Sequence, residues 1–102
     1  MRRPEITQAL KQKLDSLPYD MEVWLYGSEA RGDARPDSDI DLLVLFNKPT
    51  ITPEENDGVF DAAYSIELNT GVLVNPFIMP KQQWEAQMTP FRDNVMTDRK
   101  RL

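Results

Sequence analysis

The sequence predicts an α/β protein of the α+β kind, a small mixed sheet with helices packed on it. Three observations carry that expectation. Helix-period and strand-period segments follow the order helix, strand, strand, helix, strand, helix. The first two strands are joined by a short polar segment, which makes them antiparallel neighbours. The second and third are joined by a segment long enough for a full helix, which makes them parallel with a right-handed crossover.

Each element has its own signal. Residues 4–17 carry Pro4 in the first turn and Ile6, Ala9, Leu10, Leu14 and Leu17 at helical spacing. Leu17-Pro18 ends that helix. Met21–Tyr26 is rich in aromatic and β-branched residues and reads as a strand. Gly27 breaks it, and Ser28 is expected to N-cap a helical turn through Ala30 and Arg31. Residues 32–38 read as loop. Ile40–Phe46 is almost continuously apolar, the pattern of a central strand covered on both faces. Helix signals resume at Pro53-Glu54-Glu55, with Val59, Phe60, Ala63, Ile66 and Leu68 as the apolar set and Gly71 as C-cap. Val72–Met79 is a third strand, and Pro76 inside it points to a sheet edge or a bulge. Residues 81–88, with Trp84 and Met88, and residues 90–96, with Phe91 and Val95, read as two short helices packed on the sheet.

The 102 residues suffice for one domain, expected to span residues 1–102. Neither a signal peptide nor a membrane-spanning run is expected, and a cytoplasmic location is the default for a chain without cysteine. The absence of histidine excludes Ser-His catalysis and the usual zinc sites. Any metal must then be held by oxygen atoms, which favours magnesium, manganese or calcium. A net charge of −5 opposes non-specific binding to nucleic acid. The basic residues at the two ends, Arg2 and Arg3 and then Arg99, Lys100 and Arg101, are expected to be solvated tails.

The chemistry concentrates in residues 27–45. Asp39 and Asp41 alternate with Ile40 at the mouth of the apolar strand. Both carboxylates therefore face one side, roughly 6.5 Å apart along the backbone. Two like charges so placed call for a cation between them. Gly27 allows a sharp turn and close approach of a phosphate, while Ser28 and the free amides after it offer an anion site. Arg31 could add a charge-assisted contact to a phosphate oxygen. Taken singly, these residues have bland readings. Glu29 and Arg31 read as surface residues, Asp33, Arg35 and Asp37 as loop charges, and Trp24, Phe60, Trp84 and Phe91 as core. It is the order and tight spacing of the whole segment that point to a metal-triphosphate.

Leu25-Tyr26-Gly27-Ser28-Glu29-Ala30-Arg31-Gly32, followed by Ser38-Asp39-Ile40-Asp41-Leu42-Leu43-Val44, resembles the polymerase-beta-type nucleotidyltransferase superfamily. The small size is similar to its minimal, single-domain members. The resemblance implies the nucleotidyltransferase fold, with Gly27 and Ser28 on the triphosphate of ATP and Asp39 and Asp41 as the catalytic pair holding Mg2+ or Mn2+. It also implies an antitoxin-like role beside a helical HEPN-domain partner, with transfer of adenylate to a tyrosine of that partner. Active members carry a third carboxylate on the third strand. Here that strand reads Gly71-Val72-Leu73-Val74-Asn75-Pro76-Phe77-Ile78, and Asn75 is the nearest equivalent. Glu67 is close in sequence but falls on the preceding helix. Two readings follow, an active nucleotidyltransferase and a catalytically impaired binding module or antitoxin subunit of the same fold. A second subunit would have to supply acceptor contacts, so the site implies an oligomer or complex.

Overall fold

The computed structural model describes residues 3–102. Arg2, one of the expected basic tail residues, lies outside them. The elements are α1 (Arg3–Asp15), β1 (Met21–Tyr26), α2 (Ser28–Arg31), β2 (Ile40–Phe46), α3 (Pro53–Thr70), β3 (Val74–Pro80), α4 (Lys81–Ala86), α5 (Pro90–Asp98) and β4 (Lys100–Arg101). The four strands form one mixed sheet in the order β3-β2-β1-β4. β1 pairs antiparallel with β2, and β2 pairs parallel with β3, as the connection lengths predict. Pro76 does lie on an edge strand, where its missing N–H breaks no ladder.

β2 is the centre of the molecule. Its even-numbered residues Ile40, Leu42, Val44 and Phe46 join a core with Ile6, Leu10 and Leu14 of α1 and Val59, Ala62, Ala63 and Ile66 of α3. Its odd-numbered residues Leu43 and Leu45 join a second, smaller core with Met79, Trp84 and Val95. α1 and α3 thus cover one face, and α4 and α5 cover part of the other. Among the described residues, no helix is long and apolar enough to cross a membrane.

Several placements differ from the sequence expectation. β3 starts at Val74 rather than Val72, because Val74 N–H donates to Glu67 Oε1 at 2.9 Å and the chain is still rounding the helix end before it. Phe60 and Leu68 are not core: they are 45% and 68% exposed, since α3 turns the smaller Ala62 and Ala63 inward and approaches the sheet closely. Met88 falls between α4 and α5 and is exposed. Arg99, Lys100 and Arg101 are not a loose tail. Lys100 and Arg101 pair with Leu25 and Trp24, while the guanidinium carbons of Arg99 and Arg101 lie 4.0 and 5.1 Å from the Trp24 ring centroid. Trp24 is accordingly half-buried under two cations rather than enclosed in the core.

α3 opens on a capping box. Thr52 Oγ1 accepts from Glu55 N–H at 3.2 Å, and Glu55 Oε1 accepts from Thr52 N–H at 2.9 Å. The hydrogen bond from Lys48, followed by that from Thr52, holds the Glu55 carboxyl below its ordinary value. Replacing Thr52 by Ala is expected to cost about 1 kcal/mol and to lower Tm by about 5 °C in a thermal melt. A lowered folded-state pKa means that Glu55 contributes fully above the ordinary glutamate value of 4.5 and loses its contribution as pH falls through the lowered one. The stability gap between wild type and Glu55→Gln, followed by denaturant unfolding, is therefore expected to close in acid below that value.

Candidate functional site

At one end of the sheet three strands come level. Tyr26 of β1 is registered against Asp41 of β2, and Asp41 against Asn75 of β3. Strand alternation fixes which face these residues use. Asp41 shares the parity of Leu43 and Leu45, and Asn75 that of Phe77 and Met79. The row therefore lies on the face that α4 and α5 only partly cover. Asp39, one step before β2, points the same way. Asn75 Nδ2 donates to Asp39 Oδ2 at 3.3 Å and to Asp41 Oδ1 at 3.4 Å, two long bonds that tie the three side chains together. The core side of β2 is closed by Ile40 and Leu42, so the carboxylates are mounted on a rigid strand.

Burial raises the Asp41 pKa, and the charge of Asp39 raises it further, against the lowering effect of the Asn75 hydrogen bond. Tyr26 is also raised, first by burial and then by the negative charge of Asp41. Both shifts follow from crowding negative charge into a partly buried row. Among the described residues, no group of three or more Asp, Glu, His or Cys gathers as a metal site. The donors that do converge are two carboxylates and one side-chain amide, which presents a carbonyl oxygen instead when turned over. That all-oxygen set suits a hard divalent cation, with one negative charge fewer than a triad of acids would give.

Gly27 closes the row on the β1 side. Its φ of 72° and ψ of −149° lie in a region that essentially glycine alone enters. A Cβ there would stand 2.7 Å from Asp41 Oδ2. The expected cap on α2 is corrected by the same geometry. Gly27, not Ser28, occupies the N-cap, and Ser28 is the first helical residue with no side-chain cap bond. The left-handed turn at Gly27 places the break one residue earlier than Ser28 could. The first amides of α2 have no carbonyl within the helix to donate to. The earliest bond of the turn is Arg31 N–H to Gly27 O at 3.0 Å.

Two charges predicted as surface or phosphate groups are otherwise engaged. Glu29 meets Arg3 in a nearly buried ion pair at 2.6 Å, and Arg3 also donates to the carbonyls of Arg35 and Pro36. This clamp fastens α1, α2 and the loop before Asp39. Arg31 pairs with Asp33 at 3.3 Å and with Asp98 of α5 at 3.6 Å. Glu67 does not reach the acid pair but bonds the first amide of β3, so it positions Asn75 from behind. The sequence signal for this was its nearness to β3; the missing piece was the fold of the chain around Gly71. Phe91, expected in the core, is 41% exposed and packs against Tyr26 and Phe77 beside the row. Its i+4 partner Val95 takes the buried position instead.

A model of the nucleotidyltransferase domain family matches residues 4–97. A Methanocaldococcus jannaschii protein assigned as a protein adenylyltransferase is 35% identical over 80 residues, which span 78% of this chain and 73% of that protein. The chain belongs to the nucleotidyltransferase domain family. Solved structures share the fold. One is a chain of a toxin–antitoxin complex with AMP-PNP, at TM-score 0.62 and 21% identity over 94% of this chain and 70% of that one. A second is a minimal nucleotidyltransferase, at TM-score 0.60 and 24% identity over 100% and 97% of the two chains. A third comes from the complex of a tri-AMPylated Shewanella oneidensis HEPN toxin with an MNT antitoxin, at TM-score 0.57 and 19% identity over 99% and 71%.

The contact at Gly27 generates a prediction. Gly27→Ala meets both the backbone restriction and the Asp41 carboxylate, so it is expected to destabilise the fold by about 1–3 kcal/mol. Gly32→Ala, also at positive φ but with open space around it, is expected to cost less. Chemical denaturation of the two variants side by side checks the order.

Proposed function

We propose that this chain binds a magnesium-nucleoside triphosphate, with ATP as the donor, and transfers the nucleoside monophosphate to a hydroxyl of a partner protein. The observation that carries the reading is the row Gly27, Asp41, Asn75 with Asp39, brought level by strand register on an open face. Asp39 and Asp41 would hold Mg2+ or Mn2+. When bound, that ion neutralises the charge that builds up on the phosphates in phosphoryl transfer. Gly27, Ser28 and the free amides of α2 would receive the phosphates, since only a glycine lets the backbone come so near Asp41. Arg31 sits at the end of the same turn and would reach a phosphate oxygen by exchanging its exposed partner Asp33 for it. In the reaction the acceptor oxygen bonds to the α-phosphorus, and the bond to the departing pyrophosphate breaks.

The acceptor proton finds no base at position 75, because an amide does not take it up. This favours a second reading, a nucleotide-binding antitoxin or regulatory subunit with impaired transfer. One likeness supports the antitoxin side of both readings, since that solved structure holds a tri-AMPylated HEPN toxin with an MNT antitoxin. We take such a HEPN-type protein as the acceptor, and the whole chain as one nucleotidyltransferase domain.

Incubation with α-labelled ATP, Mg2+ and the co-purified partner tests the transfer. Label is expected on the partner and is expected to vanish with Asp41→Ala or with chelation of the metal. In calorimetry, Asp39→Ala or Asp41→Ala is expected to abolish Mg-ATP binding, and Ser28→Ala to weaken it only several-fold because the backbone amides remain. Identical binding in wild type and the double aspartate variant would refute the metal role.

Asn75 separates the two readings. Asn75→Asp adds the third carboxylate at almost no steric cost, two strand spacings from the β1 end at Gly27 and level with Asp41. It is expected to tighten Mg2+ binding and to raise transfer at least tenfold, about 1.4 kcal/mol. Robust transfer by the unchanged chain, with no gain in the variant, would show that a third acid is not needed here.

A further inference from the structure

The contacts proposed above account for the phosphates and leave the base without a seat. We infer that the open ring surface of Phe77 and Phe91, backed by Tyr26, is a stacking shelf for the nucleobase of the triphosphate. The inference rests on the nucleotidyltransferase reading of the acid row and goes beyond it by naming where the base lies and how it is chosen.

The shelf adjoins the row by construction. Phe77 follows Asn75 by two residues on β3, so both side chains stand on the same face, roughly 6.5 Å apart along the strand. Tyr26 is registered directly against Asp41. Phe91 enters from the first turn of α5 and bridges them, with its ring centroid 5.4 Å from Phe77 and 5.8 Å from Tyr26. Trp84, 1% exposed, lies beneath, 6.1 Å from Phe91 and 6.3 Å from Phe77 in edge-on contacts. The rings thus have a buried foundation, while Phe77 and Phe91 remain 37% and 41% exposed.

Folding alone does not explain two phenylalanines held open beside a row of carboxylates. Apolar surface there gains nothing from the charged neighbours, and covering it is favourable. A planar base carried on a sugar-phosphate held at Asp39 and Asp41 fits both demands, since its phosphates occupy the row and its ring covers the shelf. The other exposed apolar stripe lies on α3, where Phe60 and Tyr64 line a cavity with Asn75 and Pro76 at the β3 edge; a base seated there would leave ATP affinity unchanged in variants of Phe91. Stacking reads ring area more than hydrogen-bonding pattern. Selectivity should therefore favour purines over pyrimidines and distinguish adenine from guanine little.

Calorimetry with two probes tests the shelf, Mg-ATP and Mg-tripolyphosphate, on wild type, Phe91→Ala and Phe91→Leu, which keeps an apolar side chain but removes the ring. Both variants are expected to bind Mg-ATP about tenfold more weakly while keeping wild-type affinity for Mg-tripolyphosphate, which has no base. Wild type is expected to bind ATP and GTP more tightly than CTP and UTP. Unchanged ATP affinity in both variants overturns the shelf, and is the result expected if a protein partner covers these rings instead. Equal wild-type affinity for ATP and tripolyphosphate overturns it too, as does a parallel loss of both probes in Phe91→Leu. If wild type binds neither probe, the nucleotidyltransferase reading itself falls, and the shelf with it.

Discussion

Everything at the candidate site depends on β2 being buried on both faces. Ile40 and Leu42–Phe46 are essentially inaccessible, and their alternation feeds two separate cores. A strand so held has no freedom to slip, because moving by one residue would exchange the contents of the two cores. Register then passes sideways to β1 and β3. Tyr26, Asp41 and Asn75 are level because Val44 is fixed, and not through any strong bond among themselves. The 3.3 and 3.4 Å contacts of Asn75 are too long to place the row. They follow from a placement made by packing.

The electrostatics of the row are then a consequence of position. Asp39 and Asp41 share a face, and the partial burial of Asp41 makes its charge costly. Asn75 relieves this by offering its amide hydrogens to both carboxylates, a neutral substitute for part of a cation's work. An acid at the same place would add repulsion that only a metal could offset. An asparagine at this register position therefore suits the two neighbouring carboxylates better than a third acid would.

Much of this was legible in the sequence, and what was not has physical reasons. The unbroken apolar run of β2, Pro76 on the edge strand and Gly71 at the end of α3 each act locally, so each could be read locally. The topology followed from two connection lengths. β4 escaped because a two-residue strand, Lys100-Arg101, has no period, and because its hold on the molecule is the Trp24 ring nearly eighty positions earlier. The Arg3–Glu29 pair joins residues 26 apart and looks like two surface charges until α1 and α2 are brought together. In α3 two apolar stripes compete, Phe60-Tyr64-Leu68 and Val59-Ala62-Ala63-Ile66. Both carry apolar residues at helical spacing, and it is the Val59-Ala62-Ala63-Ile66 side that faces the core. The cap at Gly27 was missed by one residue, since Ser28 has the better side chain and Gly27 the only usable backbone.

The two cores divide the work unequally. The larger one, under α1 and α3, contains most of the buried apolar residues and closes its face of the sheet. The smaller one needs only enough cover to seal Leu43 and Leu45, and Trp84 supplies most of it in a single side chain. Because that cover is small, it stops short of the strand ends, and Asp41, Asn75, Phe77 and Phe91 are left open. A larger second core would extend over the row and bury its carboxylates. The site is open because the second face is sealed with so few residues, and a domain of this size can leave it open because the first face is packed so fully.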